Sequence, residues 1–228
     1  MTGTTSEATI PMPKPHGDRP IGGRMAKWYA TTTATSMSEF RKLAQRIAAE
    51  LPQGGSVLEV APGPGYLCIE LARLGRYAIR GVDLSEAMVA IAREKADAAG
   101  VNVEFQQGNV AQLPFPRDTF DFLVCRAAFK NFADPVRALQ EMCRVLRPGG
   151  RGLIIDLRRE APPEAVSRMV DGMGLSRVNR VMTKLAFRTM LIRSAYTKPQ
   201  FEQMLAQAPF RETEIVAEDI GFEIWMKK

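Results

Sequence analysis

The chain has 228 residues, 46% hydrophobic and 25% charged, which suits a globular protein with one α/β domain or a domain with a small appendage. No apolar run approaches the ~20 residues of a membrane span, and no apolar segment near the start marks a secretory signal. A cytoplasmic location is therefore expected. The net charge of +6 admits an acidic partner but is weak evidence for nucleic acid.

Residues 1–20 are rich in Thr, Pro and Gly and read as a flexible tail. They hold the single histidine, His16, which reads as incidental there. Residues 21–228 read as one domain. Trp28 and Tyr29 sit on a short segment that either packs the tail down or forms a lid. Phe40, Leu43, Ala44, Ile47 and Ala48 recur at helical spacing and predict a helix over 36–51, closed by Pro52.

Val57, Leu58 and Val60 predict a first buried strand, and Leu67, Ile69 and Leu71 a helix after the Gly/Pro loop between them. A second strand is predicted over 77–82. A helix capped by Ser85 follows, closed by Gly100. Further strands are predicted over 101–105 and 120–125. Asp134-Pro135 starts a helix that Pro148-Gly149-Gly150 stops before a strand at 152–155. Two helices are expected between 162 and 193, a third around Phe201 and Met204, and a closing hairpin over 212–216 and 222–226. Alternation of strands and helices predicts a doubly wound, mostly parallel α/β sheet of seven strands, with a helical insertion at about 160–196 before the last two.

The chemistry gathers at strand ends. The loop Glu59-Val60-Ala61-Pro62-Gly63-Pro64-Gly65 has alternating small residues but a poor third-glycine position, since Cys68 falls there. Pro62 and Pro64 bring no N–H, so the loop makes a poor phosphate cradle. Glu59 suits an ammonium better than a phosphate. Together these features favour a ligand with an amino-acid end and a nucleoside end. Asp83 lies about 20 residues on, where a carboxylate can accept both hydroxyls of a ribose. Asn109 and Val110 end the third strand, within reach of a base.

These segments resemble those of the class I S-adenosylmethionine-dependent methyltransferases, particularly the small-molecule methyltransferase type 11 group. The resemblance spans about Gly55 to Asp156. Ala61 stands for the first glycine of an E-x-G-x-G-x-G loop. Gly81-Val82-Asp83-Leu84-Ser85-Glu86-Ala87-Met88 is similar to the ribose-binding segment. Phe120-Asp121 and Leu146-Arg147-Pro148-Gly149-Gly150 resemble two further hallmarks. The chain departs from the pattern at Asn109, usually Asp, and at Lys130-Asn131, where relatives often carry two histidines.

The resemblance implies methyl transfer from S-adenosyl-L-methionine to an O, N or S atom of a small molecule, with S-adenosyl-L-homocysteine as product. It implies cofactor contact by Glu59, Ala61, Gly63, Gly65, Tyr66, Asp83, Leu84, Asn109, Val110 and Arg126. Tyr29, Phe129 and Lys130 fall on the expected acceptor side, and the insertion at 160–196 reads as a lid. Tyr29, Lys130 and Asp156 are candidate bases, each with a plainer reading as packing, a solvated charge and a strand-end cap respectively; none is assigned as catalytic. Cys125 reads as a small core residue. Cys68, Cys125 and Cys143 are too few and too spread for a disulfide framework, and no metal is expected.

An RNA methyltransferase, or an enzyme that uses bound S-adenosylmethionine without methylating, are the alternatives. Nucleic acid is disfavoured for want of target-base motifs, and a homodimer is left open. Arg177, Arg180, Lys184 and Arg188 form a basic stripe that is either a solvated face, an attractor of acidic substrate, or a contact for membrane or nucleic acid.

Overall fold

The computed structural model describes residues 20, 22–34, 37–51 and 53–228. The expected tail with His16, the helix start at Ser36 and the stop at Pro52 lie outside the described residues. Helix α1 (Gly23–Thr33) and helix α2 (Met37–Glu50) lead into seven strands: β1 (Gly55–Val60), β2 (Tyr77–Asp83), β3 (Glu104–Gln107), β4 (Phe120–Arg126), β5 (Leu146–Leu157), β6 (Glu212–Ala217) and β7 (Gly221–Lys227). Between them come α3 (Tyr66–Ala72), α4 (Glu86–Ala98), α5 (Pro135–Val145), α6 (Pro163–Asp171), α7 (Arg177–Ala186), α8 (Ile192–Ser194) and α9 (Lys198–Leu205).

The strands form one sheet in the order β3-β2-β1-β4-β5-β7-β6. All neighbours are parallel except β7, which runs antiparallel to both β5 and β6. The expected mixed α/β architecture is thus the one observed. Chain order reverses between β1 and β4, so the crevice outside their carboxyl ends is the natural ligand position.

Side chains alternate across the sheet and divide the core in two. Val57 joins Phe40, Leu43 and Ile47 of α2 and Leu67 and Leu71 of α3 on one face. Its neighbour Leu58 joins Leu139 and Met142 of α5 and Phe201 and Met204 of α9 on the other. The caps read from sequence are present: the Ser85 hydroxyl accepts from the Met88 amide, and Asp134 accepts from the Arg137 amide.

Three expectations are corrected. The third strand begins at Glu104, not Val101, because the Val101 amide is spent on the Ala96 carbonyl at the end of α4. The fifth strand begins at Leu146, so Pro148-Gly149-Gly150 lies inside it at an irregularity in the pairing with β4. A Cβ at Gly150 would lie 2.9 Å from the Arg147 carbonyl oxygen, so only glycine lets the chain pass. The insertion comprises α6, α7, one turn of π-helix (Phe187–Leu191) and α8, rather than two helices. Its apolar residues divide: Leu175 and Ile192 pack on a small cluster with Val166 and Val170, whereas Val178, Met182 and Leu185 face solvent.

Candidate active site

The glycine loop turns sharply off β1. Ala61, Gly63 and Gly65 all hold positive φ, at 53°, 54° and 77°. Glycine adopts this conformation freely, while alanine resists it, so Ala61 is strained where the family motif carries glycine. The Ala61 amide donates to the Val82 carbonyl at 2.7 Å, continuing the β1–β2 ladder past the last residue of β1. Gly81 in β2 makes room for the loop: a Cβ there would lie 3.1 Å from Pro62 Cγ and 2.6 Å from Phe105 Cδ1.

Asp83 closes the loop from the side. Its Oδ2 accepts from the Gly63 amide at 3.0 Å and its Oδ1 from the Ser85 amide at 2.9 Å. Burial raises its pKa, and the two amides oppose that rise. Each carboxylate oxygen can accept a further hydrogen bond, in keeping with a ribose partner. Leu84 is half-buried beside it, and its carbonyl accepts from the Gln107 side chain.

Glu59 is buried. Its Oε2 accepts from the Cys68 amide at 3.1 Å and the Cys68 thiol at 2.9 Å, which pins β1 to the first turn of α3. Burial pushes its pKa up to about 7, against the lowering effect of Cys68 and of the Arg126 charge. The position where a third glycine was sought therefore carries a cysteine with a structural task.

The third strand end is tighter than the sequence suggests. Asn109 Oδ1 accepts from the Ala111 amide at 2.8 Å and caps a 3-10 turn, Val110–Gln112. One lone pair of that oxygen is already engaged.

At the end of β4, Arg126 reaches across to α2. It pairs with Glu39 at 3.0 Å, and its guanidinium carbon lies 4.5 Å from the Phe40 ring centroid. The chain then turns through Ala127, which also has a left-handed φ of 59°. The Ala127 amide donates to the Ile155 carbonyl at 2.7 Å. Both strands that flank the reversal point thus end on a left-handed alanine. Nothing in the sequence marks Ala127, because alanine is not a turn signal.

The residues expected on the acceptor side separate. Phe129 is fully buried, stacked with Phe201 at 5.2 Å and edge-on to Phe132 and Tyr196; its side chain belongs to the core rather than a pocket wall. Lys130 is not a solvated charge. Its Nζ contacts Asp156 Oδ1 at 2.9 Å and donates to the Ala127 carbonyl at 2.8 Å, all out of solvent. Asp156 also accepts from the Lys130 amide, so the pair clamps the β4 turn to the end of β5. Cys125 is buried in the core as expected, and burial raises its thiol pKa well above the ordinary value.

Helix α1 lies over the glycine loop. Tyr29 Cε1 would be 3.7 Å from a Cβ on Gly63, and the Tyr66 hydroxyl donates to the Ala30 carbonyl at 2.8 Å. Tyr66 therefore anchors α1 with its hydroxyl, a role the sequence did not reveal. Ala26 and Ala30 are the buried face of α1; Trp28 is 63% exposed, whereas Tyr29 is 37% exposed against the loop. Among the described residues there is no group of three His, Cys, Asp or Glu side chains placed to hold a metal ion, and no helix is long and apolar enough to cross a membrane.

A seven-stranded sheet with one antiparallel strand and a glycine loop at its reversal point define an α/β fold of methyltransferase type. Residues 57–150 match the family model described as a methyltransferase domain. The ubiquinone/menaquinone biosynthesis C-methyltransferase UbiE of Escherichia coli O1:K1 / APEC is 31% identical over 178 residues, covering 75% of this chain and 67% of that one. The chain belongs to the class I S-adenosylmethionine-dependent methyltransferases. A demethylmenaquinone methyltransferase of Deinococcus radiodurans is 42% identical over 110 residues, 48% of this chain and 44% of its own length. The chain spans about half the length of several curated relatives it matches. A solved Methanococcus maripaludis structure superposes with a TM-score of 0.72 at 23% identity, covering 99% of this chain and 97% of that one, which shows the shared fold.

Proposed function

We propose that this chain transfers a methyl group from S-adenosylmethionine to a small aromatic acceptor. The observation that carries the reading is the Asp83 carboxylate, buried and bonded to the Gly63 amide at 3.0 Å at the reversal point of the sheet. Bound there, the cofactor supplies an electrophilic methyl on a sulfonium. Gly63 and Gly65 give its amino-acid end close approach to the backbone, and Asp83 accepts the ribose hydroxyls. Leu84, Asn109 and Val110 flank the base. Ala61 shapes the turn, while Glu59 and Arg126 set the charge behind the loop.

The chain's contribution to rate is placement and exclusion of water, since no base is assigned. Lys130 and Asp156 neutralise one another, and the Cys125 thiol stays protonated in the core. Tyr29 on α1 covers the loop from above, and residues 160–196 supply the remaining cover. Residues 21–228 then act as one catalytic domain. A quinone-type ring is the first acceptor to test, because the relatives are named for demethylmenaquinone and for ubiquinone/menaquinone biosynthesis.

The test is incubation of purified protein with methyl-labelled cofactor and either quinone-type phenols or RNA. Label in the phenol fraction supports the reading. Label in RNA alone, or calorimetry showing no cofactor binding, overturns it.

A further inference from the structure

Helix α7 is amphipathic in the wrong sense for a soluble helix. Val178, Val181, Met182 and Leu185 fall at i, i+3, i+4 and i+7, the spacing of a single helix face. All four are between 54% and 73% exposed. The opposite side is the one that is covered. Arg180 and Lys184 turn inward to Asp171, at 3.6 and 2.8 Å, and Phe187 and Leu175 pack on the cluster beneath. The protein therefore presents this apolar row to solvent, while two of the helix's cations pair on its other side.

The charge around that row is one-sided. Residues 172–194 carry Arg177, Arg180, Lys184, Arg188 and Arg193 and no acidic residue, so they hold nearly all of the chain's net charge of +6. Arg177 and Arg188 are exposed and make no ion pair among the described residues. An apolar row flanked by cations is the pattern of a helix lying in the surface of an anionic bilayer, with aliphatics below the headgroups and cations at their level.

We propose that α7 docks this protein on anionic phospholipid membranes. A second copy is a poorer occupant, because two such faces would bring like charges together. Nucleic acid would meet the cations but leave the aliphatic row unused. The proposal stands apart from the methyl-transfer reading and does not depend on it.

The test is flotation of the full chain with phosphatidylcholine vesicles, with and without phosphatidylglycerol, at low and high salt. Binding to the anionic vesicles, weakened by salt, is expected. Val181→Asp with Leu185→Asp should lower the partition coefficient roughly tenfold or more, and Arg177→Glu with Arg188→Glu should do the same on anionic vesicles. Met182→Gln is the milder single change and should weaken binding less. All three variants are at exposed positions and should keep the wild-type thermal midpoint. Wild-type protein that ignores both vesicles, or variants with unchanged midpoint and unchanged partition, overturn the proposal. So does a wild-type dimer in solution that the double Asp variant dissolves.

Discussion

Glu59 receives both the amide and the thiol of Cys68 on one carboxylate oxygen, at 3.1 and 2.9 Å, with no exposure to solvent worth the name. Burial pushes its pKa up to about 7 from 4.5. Between those values the unfolded chain has lost the proton that the folded chain keeps. The contribution is thus fully present below the ordinary carboxylate range and is lost as pH rises through about 7. The shift corresponds to about 3 kcal/mol. Urea unfolding at pH 5 and pH 7.5 should show Glu59→Gln losing much less stability than wild type across that interval. Parallel pH dependence in the two proteins would remove Glu59 as the cause.

Asp83→Ala should weaken S-adenosylmethionine binding roughly 10- to 100-fold, the loss of charge-assisted partners for two ribose hydroxyls. It also strands the Gly63 and Ser85 amides, so the thermal midpoint should fall. Calorimetric titration and a melt read the two effects separately. A lower midpoint with unaltered affinity would show that Asp83 serves the loop and not the ligand.

Ala61→Gly should stabilise the protein. A left-handed alanine costs about 1–2 kcal/mol, and the added chain freedom of glycine returns part of that. A gain of about 0.5–1 kcal/mol, seen as a small rise in thermal midpoint, is expected at Ala61 and again at Ala127. Ala61→Val should do the opposite, since a β-branched residue tolerates positive φ least.

Lys130→Met leaves the Asp156 carboxylate buried without its cation and should cost about 3–5 kcal/mol in chemical unfolding. Adding Asp156→Asn removes the stranded charge while keeping one acceptor oxygen, enough for either the Lys130 or the Leu157 amide. The double variant should therefore be more stable than Lys130→Met alone. Equal losses would mean that the pair is held by packing rather than charge.

The sheet was legible in the sequence because its strands are predominantly apolar stretches between turn residues, as at Val57–Val60 and Phe120–Cys125, each broken by a single carboxylate, Glu59 or Asp121. The glycine loop and Asp83 were legible because backbone strain and a buried charge each demand particular residue types. Tyr66 and Phe129 were not. A tyrosine after a glycine loop looks alike whether its hydroxyl meets a ligand or the Ala30 carbonyl, and Phe129 carries no mark that its partners are Phe201 and Tyr196. The stripe on α7 had the correct period, but period alone does not say which side of a helix is covered. That depends on Asp171, in the preceding helix, drawing Arg180 and Lys184 inward.

The pairing of β1 with β4 has a consequence for how the protein reaches its native state. Ser56 and Asp121 are 65 positions apart, yet the Ser56 amide and hydroxyl both donate to Asp121, at 2.8 and 2.9 Å. The crevice between the two strand ends does not exist until that distant pairing has formed. Such non-local closure is slow relative to helix formation. A partly folded chain would have the glycine loop but no opposite wall. Ligand binding would then draw only on fully assembled molecules, and would raise the apparent stability of the whole sheet by mass action.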